Sequence, residues 1–253
     1  MKLLLKPFYI LYWIYAVVLF VVIMLLIFPF VIIASFFGRI RGGNMIYRLC
    51  RLWADVWFAL VFIHFKRIYE SPLDTTQQYI FVSNHISYLD AAIIVKAYRQ
   101  PLRPLGKVEM SKIPVFGFIY KNAIVTVDRS SAENRAKSVR ILKSIITKGI
   151  SVLVFPEGTF NMTHQPLKEF YDGAFRVAIE TQTSIKPVLF IDAYARMPYE
   201  SIFSLNPGLC RIIYLHEISV EGLTTNDVPM LKEKTFTMMN DKLIQYQANW
   251  IRQ

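Results

Sequence analysis

Two short stretches of this 253-residue chain carry side chains that could move a proton or hold a reacting group. In Ser83-Asn84-His85-Ile86-Ser87-Tyr88-Leu89-Asp90 a histidine and an aspartate sit between the apolar runs Tyr79-Ile80-Phe81-Val82 and Ala91-Ala92-Ile93-Ile94-Val95. A strand is expected to end where a helix begins. Ser87 and Asp90 fit a capping box, with the serine oxygen on an orphan amide and the carboxylate reaching back to the cap. That pairing accounts for Asp90 without any chemistry. His85 is harder to explain structurally, because it falls just outside the helix start, where amides and the positive dipole end disfavour another positive charge. A neutral imidazole there can accept a proton near pH 7. Taken alone, the stretch fits both a turn histidine beside a capping aspartate and an acid/base dyad.

The second stretch is Val152-Leu153-Val154-Phe155-Pro156-Glu157-Gly158-Thr159, a strand tip followed by a turn holding a carboxylate, a glycine and a hydroxyl. Turn chemistry explains Pro156 and Gly158, but not why this tip should stand in one chain with the first. Between them lie Lys107-Val108-Glu109, then Pro114 and Gly117, then a strand running Ile124 to Arg129; beyond them comes Pro187-Val188.

Together these blocks resemble the glycerolipid acyltransferase family, best known for the 1-acylglycerol-3-phosphate acyltransferases. Asn84, His85 and Asp90 match its Asn-His-x4-Asp motif, and Phe155 to Thr159 match Phe-Pro-Glu-Gly-Thr. Lys107, Glu109, Pro114, Gly117 and Ile124 to Arg129 match the block between, and Pro187-Val188 the last. The four stand in order over Tyr79 to Ile191. The resemblance implies acyl transfer from a thioester to an alcohol, with His85 as base and Asp90 fixing its tautomer. It assigns Asn84, Glu157, Gly158 and Thr159 to substrate binding and places Lys107 and Arg129 near an acceptor phosphate. The structural alternative for those two cations is a solvated surface role. The implied partners are a bilayer, a lysolipid acceptor such as 1-acyl-sn-glycerol-3-phosphate, and an acyl carrier protein or coenzyme A thioester as co-substrate. No cofactor is implied, and neither a metal nor nucleic acid. The implied location is a membrane with the site facing the cytoplasm, the inner membrane in a bacterium. One departure matters: Phe160 stands where family members carry Arg, removing a bidentate phosphate ligand. Arg103, Lys168 and Arg176 are candidates to take its place. The departure keeps open another acceptor, such as a lyso-aminolipid or a different lysophospholipid. A non-catalytic lipid-binding protein and a hydrolase using the same dyad are the rival classes.

The elements that must position these residues follow from patterning. After Ser71-Pro72-Leu73-Asp74 the chain alternates strand and helix, which implies an α/β fold: a mixed, largely parallel sheet flanked by helices. The expected strands are Tyr79 to Ser83, Ala123 to Val127, Ile150 to Phe155, Ile185 to Ile191 and Leu209 to Leu215. The expected helices are Asp90 to Arg99, one opened by a capping box at Ser130 and Glu133 and stopped at Gly149, Ala174 to Thr181, and Met230 to Trp250. Gln100 to Pro104 reads as a break.

Before this domain, assigned to 69–253, residues 1–68 read as N-terminal membrane-associated helices. Phe8 to Phe37 carries no charge and is flanked by Lys2, Lys6, Arg39 and Arg41. A single helix of that length spans about 45 Å, against about 30 Å of hydrocarbon. A tilted span and a re-entrant pair broken at Pro29 both fit. Ile46 to Ile68 reads as a second helix suited to a bilayer interface, with a buried domain helix as the alternative. Hydrophobic content of 54% and a net charge of +11 favour a membrane and phosphate over nucleic acid, for which no recognition signature is present. Cys50 and Cys210 are too few for a disulfide framework, and neither His164 nor His216 has metal-ligand spacing.

Overall fold

The computed structural model describes residues 6–127 and 132–252. Arg129 and the expected capping box at Ser130 lie outside the described residues. The strands are β1 Ile63–Tyr69, β2 Ile80–Ser83, β3 Leu102–Lys107, β4 Val125–Val127, β5 Ser151–Val154, β6 Ile185–Phe190 and β7 Gly208–Tyr214. They form one sheet in the order β1-β7-β6-β2-β5-β3-β4. Every neighbouring pair is parallel except β6 with β7. β2, β5 and β6 are buried along their whole length and are apolar apart from Ser83, Ser151 and Lys186, as strands covered on both faces should be. The carboxyl ends of β6, β2, β5, β3 and β4 therefore lie on one edge of the sheet. In open α/β sheets that edge is where ligands bind.

The helices are α1 Lys6–Ser35, α2 Gly43–Leu60, α3 Asp90–Ala97, α4 Phe116–Ala123, α5 Ala132–Ile146, α6 Gly173–Glu180, α7 Ala193–Arg196 and α8 Val228–Gln245. α5 buries Leu142 and Ile146, the face its 3.6-residue spacing picks out. Gly149, at φ +80°, ends that turn in the left-handed conformation glycine adopts freely.

Three expectations are corrected. Residues 46–68 do not form one helix: α2 stops at Leu60, the chain turns at Phe62 with φ 55°, and β1 begins. Ile63 is buried and His64 exposed, so the pattern has switched from helical spacing to alternation, and β1 pairs with β7 at the far edge of the sheet. The break at Gln100 to Pro104 is instead the start of β3. Pro104 is tolerated because it pairs with β5 where β4 has not yet begun on the other side. The approach to β4 contains α4, which sequence patterning did not reveal.

α1 is one continuous helix through Pro29. The re-entrant pair broken at Pro29 is therefore not formed; instead α2 runs back along α1. Tyr12 donates to the Val61 carbonyl at 2.6 Å near one end. At the other, Gly42 packs so closely on the Ala34 carbonyl that a Cβ would collide with it. Between them Trp57 and Trp53 donate indole N–H groups to the carbonyls of Ala16 at 2.8 Å and Phe20 at 3.2 Å. The two indoles stack on each other, as residues four apart on a helix can. α2 buries Ile46, Tyr47, Ala54 and Phe58, whereas α1 leaves Phe8, Leu11, Leu25, Leu26, Phe30 and Ile33 exposed.

Arg103, on β3, fastens this hairpin to the sheet. Its buried guanidinium donates to the carbonyls of Arg39 and Ile40 and to Asn44 Oδ1 at 2.9 Å. Burial without an acidic partner lowers its pKa.

Candidate active site

β2 ends at Ser83, and the turn after it carries His85 toward the start of α3, whose first residue is Asp90. One carboxylate oxygen, Asp90 Oδ2, accepts from the Ile86 amide at 2.8 Å, the Ser87 amide at 2.9 Å and His85 Nδ1 at 2.8 Å. The carboxylate thus reaches back to Ser87 as a capping box requires. The serine oxygen, however, takes the Leu89 amide at 3.0 Å instead of the N3 amide. The capping box is therefore not completed: α3 is capped at Leu89 without a side-chain hydrogen bond, and Asp90 Oδ2 holds the turn and the histidine together. With a carboxylate on Nδ1, that nitrogen holds the proton and Nε2 is left as the basic atom. Asp90 is wholly buried while the His85 side chain is 23% exposed, so the imidazole can meet a substrate and its partner cannot.

Asn84 lies beneath the histidine, 1% exposed. Its amide donates to the Phe190 carbonyl at 3.1 Å and its Oδ1 accepts the Phe190 amide at 2.9 Å. This two-point bond ties the tip of β2 to the end of β6. Glu157 makes the corresponding tie to β5. Its Oε1 accepts the His85 amide and its Oε2 the Lys168 amide, each at 2.9 Å. The two strand tips are therefore neighbours, joined through the backbone of His85 itself. Burial pushes the Glu157 carboxyl up to about 8, against the opposing pull of those two amides. Both Asn84 and Glu157 are enclosed, so their groups hold the turn that presents His85. Gly158, at φ +77°, lets the chain reverse after Glu157. Thr159 is exposed and accepts a hydrogen bond at 2.7 Å from Lys168 Nζ.

The imidazole stacks on Phe155, with ring centroids 4.1 Å apart, and meets Phe160 edge-on at 4.4 Å. Tyr88 packs edge-on against Phe160 in turn. Phe160 thus puts an apolar wall directly beside the proposed base. Lys107 closes β3, in register with Val127 of β4, exposed at the same edge of the sheet as the two tips. Of the three candidates to replace the missing guanidinium, Arg103 is spent on the α1–α2 junction and Arg176 is exposed on α6. Lys168 alone is held at the Glu157 turn. Its spacing from the motif carries no sequence signal; only the folded loop shows it. Two clefts lie elsewhere: one of about 370 Å³ lined by Ser71, Tyr79 and Glu217 among others, and one of about 180 Å³ beside Asp55, His64 and Lys96. Neither is lined by His85.

An imidazole held by a buried carboxylate at the carboxyl edge of a parallel sheet defines the class. The chain belongs to the acyltransferase family, whose model matches residues 64–191. It is 30% identical over 187 residues to 1-acyl-sn-glycerol-3-phosphate acyltransferase alpha of Mus musculus, a match covering 69% of this chain and 64% of that protein. An uncharacterised acyltransferase of Schizosaccharomyces pombe is 29% identical over 222 residues, covering 85% of this chain and 78% of the other. The crystal structure of the 1-acyl-sn-glycerophosphate acyltransferase PlsC from Thermotoga maritima superposes with a TM-score of 0.74 at 19% identity, covering 100% of both chains. That likeness shows the fold.

Proposed function

We propose that the protein transfers a fatty acyl group from a thioester to the free hydroxyl of a lysolipid at a membrane surface. His85 Nε2 takes the hydroxyl proton as the oxygen attacks the thioester carbonyl. The tetrahedral intermediate collapses with loss of the C–S bond, and the imidazolium returns the proton to the departing sulfur. Asp90 holds the ring and stabilises its cation. No enzyme nucleophile is required, because the acceptor attacks directly. The observation that carries the reading is the 2.8 Å contact between His85 Nδ1 and a wholly buried Asp90, which leaves the other nitrogen toward the open edge of the sheet.

The proposed acceptor is 1-acyl-sn-glycerol-3-phosphate, giving phosphatidic acid, with acyl carrier protein or coenzyme A as the donor's thiol. The names of the relatives support it, as do Lys107 and Lys168 at the site edge. Arg129 would add a third cation. Glu157, Gly158 and Thr159 would place the acceptor, the first through the turn it holds. α1, whose most apolar 18-residue stretch has a mean hydropathy of 3.4 and whose outer face is exposed, supports membrane attachment. A site facing the cytoplasm is part of this proposal; charge sets no orientation, since basic residues flank both ends of the apolar run. We propose a membrane-associated N-terminal region (1–68) and an acyltransferase domain (69–253), although β1, which lies mostly before that boundary, belongs to the sheet.

A second reading keeps the chemistry and changes the acceptor; Phe160 against His85 favours it, since an aromatic edge binds no phosphate. Assaying the full chain on a panel of lysolipids with both thioester donors separates the two. Preference for the phosphomonoester supports the first, and indifference to the phosphate selects the second.

A further inference from the structure

Directly after Lys107 the chain leaves the sheet edge in a compact segment that the proposed chemistry does not use. Val108–Lys112 form a turn of 3-10 helix and α4 begins at Phe116. Between them Val115 adopts φ 60°, ψ −62°, and the Phe116 amide bonds the Pro114 carbonyl at 2.6 Å. That is a tight γ-turn, strained for a β-branched residue. It is held shut by Gly117, packed so closely on the Ser111 backbone that any Cβ would collide there. Such strain persists only where the surroundings over-determine it, and it marks segments shaped for a purpose other than stability.

The tip so formed carries Met110, Ile113 and Phe118, exposed to 40%, 45% and 39%. Single exposed apolar side chains are ordinary; here three fall between residues 110 and 118, in a segment held by the γ-turn. The tip is continuous with the apolar face of α1, because the Phe118 ring meets Phe28 edge-on at 5.8 Å. Lys107, Lys112 and Lys121 are exposed around it, with Glu109 the one acidic residue of 107–123. An apolar point with a cationic collar suits the boundary between acyl chains and anionic headgroups.

We propose that this segment, residues 108–118, is a second membrane-contact element, inserting Met110, Ile113 and Phe118 among the acyl chains of an anionic bilayer. Lys107, at its root, then lies at headgroup level, where a lysolipid phosphate would be. Because the tip is preformed, insertion needs no folding of the segment. The proposal rests on the membrane reading above, and its test keeps the two apart.

A single cysteine is placed at Ile113→Cys, Leu26→Cys or Glu221→Cys in a full chain carrying Cys50→Ser and Cys210→Ala. Leu26 is on the exposed face of α1; Glu221 is exposed beyond Ile218, which bridges to the amino end of β6. Each is labelled with an environment-sensitive fluorophore and reconstituted into vesicles of phosphatidylcholine and phosphatidylglycerol containing lipid with a nitroxide on its acyl chain. The expected result is loss of fluorescence at 113 comparable to that at 26, with little at 221, and a smaller loss at 113 in phosphatidylcholine alone. Quenching at 26 with 113 behaving like 221 would overturn the proposal and leave the membrane reading standing. No quenching at 26 would overturn both. Equal quenching at 113 in the two lipid mixtures would overturn the role given to the lysines.

Discussion

Asp90 Oδ2 serves three donors at once, so altering Asp90 and altering His85 have different consequences. His85→Ala removes the base and one of the three donors to Asp90 Oδ2, and kcat falls about 10²–10⁴-fold with a smaller loss of stability than in an Asp90 variant. Asp90→Asn costs activity on a similar scale. It also destabilises the fold by about 1–3 kcal/mol, since the Ile86 and Ser87 amides lose a charged acceptor. Comparing kcat and thermal unfolding of the two variants checks this, and equal melting points would contradict it. Glu157 gives a pH signature. Its carboxyl is raised in the folded state from 4.5 to about 8, so the folded protein keeps a proton that the unfolded chain releases between those values. The stability this contributes is full below the unfolded value and is lost as pH rises through about 8. Wild type therefore melts progressively earlier relative to Glu157→Gln between about pH 5 and 8; a pH-independent gap would mean that Glu157 is ionised throughout. The identities of Asn84, His85, Asp90 and Glu157 were legible in the sequence. Their bonds were not: Asn84 binds a backbone 106 positions away, and nothing local to residue 84 announces that partner. The fold brings the two strand tips together by burying Asn84 and Glu157, which leaves the histidine partly exposed between them.

At the level of elements, legibility followed burial. β2, β5 and β6, buried throughout, and the periodic α5 were read directly. β1 and β3 were missed because each breaks a rule locally. β1 follows a helix with only a two-residue turn between Leu60 and Ile63, and its aromatic content continued the helical reading. β3 contains Pro104, ordinarily a strand breaker, made harmless by the late start of β4. α4 was hidden by the Pro114 and Gly117 that frame its beginning. Arg103 joins the α1–α2 turn to β3, the strand that ends in Lys107. Arg103→Met leaves the Arg39 and Ile40 carbonyls and the Asn44 amide oxygen without their donor, lowering stability by about 1–3 kcal/mol. It also loosens the hairpin against the sheet. Hydrogen exchange should show faster exchange at residues 38–44 in this variant, with the β2 and β5 amides protected as before. Uniform protection throughout would show that the hairpin is held by its apolar contacts alone.

Over the whole molecule, the apolar excess and the positive charge are segregated. The former covers the outer face of α1 and the segment at Ile113; exposed cations include Arg39, Arg41 and Lys107, set about the α1–α2 turn and the site edge. A single-chain lysolipid stays in the bilayer, and an enzyme lying on that surface meets it there. Removal of residues 1–35 should release the protein from membranes on fractionation, and it would bare the Trp53 and Trp57 indoles that α1 covers. The central claim, that His85 serves as base for acyl transfer to a lysolipid hydroxyl, is tested most directly by a single assay. Wild type and His85→Ala, each as the full chain in phospholipid vesicles, are given labelled acyl thioester with and without 1-acyl-sn-glycerol-3-phosphate. The account predicts labelled phosphatidic acid from wild type only when the acceptor is present, falling at least about 100-fold in the variant. Undiminished turnover by His85→Ala, or release of free fatty acid by wild type regardless of acceptor, would contradict it.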